Sequence, residues 1–117
     1  PGLLESIQQV ETGGATEENL RAAEKSEGAI GSFQQRSIFQ EDIARIDPTM
    51  RGYNPKDPRQ AAKAAAIYIK HQMDTGLTQR QAIEAYNAGR TGQKKGYGKN
   101  YGNKVMGLLG MVEGKTV

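Results

Sequence analysis

Residues 57–76 read DPRQAAKAAAIYIKHQMDTG, and this run decides the fold class. Asp57 offers an N-cap acceptor, and Pro58 follows at the first helical turn, where its missing N–H costs nothing. Alanines at 61, 62, 64, 65 and 66 combine the highest helix propensity with minimal bulk, so another element can approach the helix closely. Ile67, Tyr68 and Ile69 continue the helix, and Gly76 is its C-terminal stop.

Toward the C-terminus, Thr78-Gln79-Arg80-Gln81 fits a capping box that opens a helix through Ile83, Ala85 and Tyr86, ending at Gly89. Residues 90–104 hold five bases, no acids and four glycines, which predicts a mobile basic loop. A last helix carries Val105, Leu108, Leu109 and Val112. Toward the N-terminus, PTMRGYNPKDP (48–58) reads as loop, with three of the four prolines. Ile38, Phe39, Ile43 and Ile46 form an amphipathic helix stopped by Asp47-Pro48. Thr16 followed by Glu17 and Glu18 predicts a short capped helix to about Ser26. Leu3, Ile7 and Val10, with Leu4 beside them, make a stripe that ends at Glu11-Thr12-Gly13-Gly14. No stretch alternates with period two. The expectation is an all-α fold: one helical domain over residues 1–117, without internal repeat.

The 117 residues suffice for one modest core, and hydrophobic residues make up 36% of them. No cysteine is present, which excludes a disulfide framework and a cysteine nucleophile. A single histidine, His71, argues against a histidine metal site or a serine–histidine triad, so no metal and no cofactor is expected. No apolar run approaches the roughly 20 residues of a membrane span, and Leu3-Leu4 is too short for a signal-peptide core. The net charge of +3 conceals a polarised chain. Residues 1–47 carry nine acids and four bases (−5), and residues 48–117 carry four acids and twelve bases (+8). A basic half attracts anionic material such as nucleic acid, lipid or cell-wall polymer, but no nucleic-acid-binding motif is present.

Three segments carry chemistry. Val10-Glu11-Thr12-Gly13 sets a carboxylate where an apolar stripe runs into a glycine turn. Partial desolvation there raises a carboxyl pKa and suits a general acid for glycosidic cleavage; a surface glutamate at a helix end is the plainer reading. Gly28-Ala29-Ile30-Gly31-Ser32-Phe33-Gln34 has glycines that permit close backbone approach, and Gln34 matches sugar hydroxyl and acetamido groups. A tight interhelical turn would use the same glycines. Ala85-Tyr86-Asn87-Ala88-Gly89 sets a phenol and an amide at a helix end, facing either a cleft or the core. Tyr53 in the proline-rich loop is a weaker candidate for a sugar contact, and Glu5, Glu27 and His71 read as surface residues.

Taken in order, these segments resemble the lytic transglycosylases of the lysozyme-like superfamily, including the domains carried by phages and secretion systems. That family runs from glutamate-serine or glutamate-threonine at a helix end, through a glycine-alanine-x-glycine segment with a glutamine, to alanine-tyrosine-asparagine-alanine-glycine. Here the order is Glu11-Thr12, Gly28 to Gln34, and Ala85 to Gly89, over about Leu3 to Val105. Between Glu11 and Gly28 the chain is several residues longer than the family pattern, and Phe33 stands where methionine is common.

The resemblance implies an α-helical lysozyme-like fold that cuts peptidoglycan glycan strands between N-acetylmuramic acid and N-acetylglucosamine. Glu11 is implied as acid and then base, with attack by the muramic C6 hydroxyl and a 1,6-anhydro product. Ser26, Gln34, Tyr68, Tyr86, Asn87 and Tyr101 are implied as substrate-binding residues. The enzyme is expected to be a monomer, to need no cofactor, and to act on the extracytoplasmic wall, in the periplasm, after secretion or from a phage particle. Two alternatives stay open: a muramidase that releases a reducing sugar by water attack, and a non-catalytic glycan-binding component of a virion or secretion apparatus.

Overall fold

The computed structural model describes residues 2–12, 28, 30, 31 and 33–116, with side chains through residue 110. The short helix expected from Thr16 to Ser26, and Ser26 and Glu27 themselves, lie outside the described residues. Among the described residues the regular structure is helical: α1 Leu3–Thr12, α2 Ser37–Ile46, a 3₁₀ turn Pro48–Met50, α3 Pro58–Asp74, α4 Gln79–Lys94 and α5 Lys99–Thr116. Among those residues the one pairing of strand type is an isolated bridge between Ile30 and Gln35. The all-α expectation holds.

The chain divides into two compact units, residues 11–68 and residues 1–10 with 69–117. In the first, the buried set is Phe33, Ile43, Met50, Ala61, Ala64, Ala65 and Tyr68. Asp47 Oδ1 accepts from the Thr49 backbone N–H at 3.0 Å and from its hydroxyl at 2.6 Å, which starts the 3₁₀ turn. Asp57 accepts from the Arg59 backbone N–H at 3.0 Å and from Gln60 Nε2 at 2.9 Å, and α3 begins at the next residue. These bonds, from Gln60 first and Arg59 next, hold the Asp57 carboxyl below the usual carboxylate range.

In the second unit Ile7, Ile69, Ala82, Ile83, Ala85, Tyr101 and Val105 are buried. The capping box at α4 is complete, with Gln81 N–H donating to Thr78 Oγ1 at 3.1 Å and Thr78 N–H to Gln81 Oε1 at 3.0 Å. Helical geometry breaks at Gly89 (φ 77°, ψ 163°), the residue expected to end this helix, and a further turn runs on to Lys94.

The basic loop expected over residues 90–104 is mostly helix: only residues 95–98 separate α4 from α5. The glycine content has two other causes. Gly96 and Gly98 hold left-handed backbone (φ 90° and 85°) that closes a tight turn. Gly102 makes room for a neighbour, since a Cβ there would stand 2.9 Å from Glu84 Cγ.

Candidate active site

Glu11 lies in the last turn of α1, half-buried, between the half-buried Val10 and Thr12. In its unit, the glycine-rich segment forms a turn against the loop that precedes α3. Gly31 has φ 72°, and a Cβ on it would stand 2.5 Å from the Pro55 carbonyl oxygen, so only glycine fits. Gln34 takes left-handed backbone as well (φ 53°), and its Nε2 donates to the Gly31 carbonyl at 2.8 Å. Its Oε1 is the side-chain atom left to accept a hydrogen bond.

The neighbouring Gln35 points the other way and is 1% exposed. Its backbone N–H donates to the Ile30 carbonyl at 3.0 Å and its Nε2 to the Ala61 carbonyl on α3 at 2.9 Å. Its Oε1 accepts from the Tyr53 hydroxyl at 2.7 Å. This network pins the turn carrying Gln34 to α3 and to the proline-rich loop. Burial raises the Tyr53 phenol well above its ordinary range, so it stays protonated and donates. Tyr53, a weak candidate for sugar contact, thus has its hydroxyl engaged within the fold. Tyr68 is 5% exposed, and its ring meets Phe39 at 5.2 Å between centroids, tilted by 44°. It is a packed residue that shows only an edge.

In the other unit Tyr86 is half-buried and stacks with Tyr101, centroids 6.5 Å apart and planes at 28°. Asn87 is exposed. Two sets of side chains link the helices near these tyrosines in the sequence. Glu84, 7% exposed, packs its side chain where the Gly102 Cβ would be, with Arg80 Nε 3.5 Å from its carboxylate. Arg80 also donates to Asn103 Oδ1, joining α4 to α5. Arg90, immediately after the Gly89 break, donates from Nη1 to Thr75 Oγ1 at 2.7 Å and to Gln72 Oε1 at 3.3 Å. The break is thereby tied back to the C-terminal end of α3.

An open groove of about 580 Å³ is lined by Gln9 and Val10 of α1 and by Asn103, Lys104, Gly107 and Leu108 of α5. Val10 directly precedes Glu11 in the chain. Among the described residues no group of three or more histidine, cysteine, aspartate or glutamate side chains is placed to hold a metal ion.

The implied substrate residues therefore fall in two sets, Glu11, Gln34 and Tyr68 in one unit and Tyr86, Asn87 and Tyr101 in the other. The transglycosylase SLT domain family matches residues 3–106, from the start of α1 past Tyr101. The chain belongs to that family. No curated relative and no solved structure gives a significant match. As a transglycosylase SLT domain, the chain is of the type that cleaves peptidoglycan glycan strands, a substrate of the extracytoplasmic cell wall. Among the described residues no helix is long and apolar enough to cross a membrane.

Three residues that tie these elements together within their units escaped the reading of the sequence. Gln35 has no periodic signal beside Gln34. Glu84 reads as an ordinary helix-surface acid, although the spacing Gly98-x-x-x-Gly102 signals that something packs close to α5. Arg90 reads as one more base of a loop. The buried neighbours Ile83 and Ala85 do bracket Glu84, so the signal for its burial was partly there.

Proposed function

We propose that Glu11 carries the chemistry of this transglycosylase domain, as acid and then base, and that the product is a 1,6-anhydro-muramic end. The supporting observation is the place of Glu11: a half-buried carboxyl at the end of α1, in the first of the three segments that the family match spans. Protonated Glu11 gives its proton to the glycosidic oxygen as the bond to the muramic anomeric carbon breaks. The carboxylate left behind takes the proton of the muramic C6 hydroxyl, whose oxygen closes on the anomeric carbon. The proton balance returns to its start and no water is consumed. One carboxyl thus serves both steps, unlike the paired carboxylates of most glycosidases. In one unit Gln34 Oε1 and the edge of Tyr68 contact the sugars; in the other the Tyr86 hydroxyl, its ring stacked on Tyr101, and the exposed amide of Asn87 do so.

Digestion of purified sacculi followed by mass spectrometry tests this reading. Anhydro ends are expected throughout, and Glu11→Gln is expected to lower turnover by ~10²-fold or more with the fold intact. Products heavier by one water would make the enzyme a muramidase. A Glu11→Gln protein with most of its activity would remove Glu11 from the mechanism, and binding without cleavage by the parent would leave only a glycan-binding role.

A further inference from the structure

The turn between α4 and α5 presents an aromatic ring among uncompensated cations. Tyr97 is 64% exposed, and Lys94, Lys95 and Lys99 around it are exposed as well. The turn is ordered by its own backbone: Lys95 N–H donates to the Thr91 carbonyl at 3.2 Å, Gly96 N–H to Gln93 at 3.0 Å and Tyr97 N–H to Gly92 at 2.9 Å. Gly98 sits so close to the Glu84 carbonyl that a Cβ would meet it at 2.7 Å, so the turn is seated on α4. Tyr97 is therefore held outward by the backbone around it. No ion pair among the described residues involves the three lysines. The described acids of this unit are engaged elsewhere, Glu5 with the Gly2 N–H at 2.7 Å, Asp74 with Lys70 at 2.9 Å and Glu84 with Arg80 at 3.5 Å.

Three ammonium groups within six residues repel one another unless an anion joins them. An exposed phenol ring offers a flat apolar face with a polar edge, which suits the C–H face of a sugar ring. A polymer that alternates sugar rings with carboxylates meets both features, and a glycan strand bearing peptide-stem carboxylates is such a polymer. We propose that Tyr97 with Lys94, Lys95 and Lys99 forms a docking surface for uncut peptidoglycan strands, additional to the residues implied in bond cleavage. This rests on peptidoglycan being the substrate.

Pelleting with sacculi on ice, across a salt series, tests the surface. Parent, Tyr97→Ala and the triple variant Lys94→Gln/Lys95→Gln/Lys99→Gln are compared, each first shown to melt with the parent. The triple variant is expected to bind about tenfold more weakly at low salt and to converge on the parent near 1 M, where the Debye length is ~3 Å. Tyr97→Ala is expected to bind about fivefold more weakly at every salt concentration. Both variants are expected to turn over short glycans lacking stem peptides like the parent. Binding by both variants equal to the parent throughout would overturn the proposal. So would displacement of the protein from sacculi by a single-stranded oligonucleotide at lower charge concentration than by soluble stem-bearing glycan, because the surface would then be a nucleic-acid site. Weakened sacculus binding in the variants, alongside a parent that leaves glycan strands uncut, would uphold the docking surface and refute cleavage alone.

Discussion

Removing one oxygen from Tyr53 tests how the glycine-rich turn is held. In Tyr53→Phe the ring stays and the 2.7 Å bond to Gln35 Oε1 is lost. Gln35 is 1% exposed, so its Oε1 would be left without that partner in a place water does not reach easily. A net hydrogen bond contributes about 0.5–1.5 kcal/mol, and burial of the acceptor puts this one at the upper end, about 1.5 kcal/mol. For a chain of 117 residues that is roughly 6 °C in Tm. Gln35→Ala loses this bond and the 2.9 Å bond to the Ala61 carbonyl, and empties a buried volume, for about 3 kcal/mol. In the double variant the Tyr53 bond is already gone, so the total should fall short of the sum by about 1 kcal/mol. Alkaline pH supplies a second readout. Burial raises the folded-state pKa of the Tyr53 phenol above its unfolded value, so the folded chain holds this proton more tightly. The stability linked to it is whole below about pH 10 and is lost as pH rises through the folded value. Thermal melts from neutral pH to about pH 11 should show that loss in the parent, and a smaller one in Tyr53→Phe. A Tyr53→Phe protein melting within about 1 °C of the parent, with the same alkaline slope, would show that the bond does not hold the turn.

Two further perturbations probe the helix junctions. Gly102→Ala drives a Cβ to 2.9 Å from Glu84 Cγ, and Glu84 cannot retreat without losing Arg80, so a loss of about 1–2 kcal/mol is expected in chemical denaturation. Gly107→Ala meets nothing within 4 Å on the same helix and should stabilise by about 0.5–1 kcal/mol; the opposite order would refute the close approach of Glu84 to α5. At the start of α3, the folded pKa of Asp57 is depressed, so its contribution is present above the unfolded value near 4 and is lost as pH falls through the folded one. Asp57→Asn keeps an N-cap acceptor and should show a shallower loss of stability in an acid titration followed by circular dichroism.

The helices were legible where local chemistry and periodicity agree. Asp57-Pro58 and Thr78 to Gln81 each carry their own start signal, and the structure makes the hydrogen bonds that those signals require. The stretch 90–104 misled because glycine has two uses. Composition reads glycine as freedom, whereas Gly98 and Gly102 are needed where the α4 residue Glu84 passes within a side chain's width. That requirement depends on which element lies opposite, and no local pattern states it. The same holds for Arg90, whose partners Gln72 and Thr75 lie 18 and 15 residues earlier in the chain.

Gln34 and Gln35 show the limit most directly, because the two share a side-chain chemistry and differ only in backbone. Left-handed geometry at Gln34 costs a non-glycine residue about 1–2 kcal/mol, and nothing in its identity lowers that cost. The offset comes from next door: the φ of 53° turns the chain so that Gln35 reaches the Ala61 carbonyl and the Tyr53 hydroxyl from inside the unit. Gln34 then folds its own Nε2 onto Gly31, which settles the direction of its amide. Its Oε1 and the second Nε2 hydrogen stand outside that bond, and the fold fixes where they point. Precision at the turn therefore comes from the buried Gln35, whose partners Tyr53 and Ala61 lie 18 and 26 residues further along the chain, where no local pattern names them.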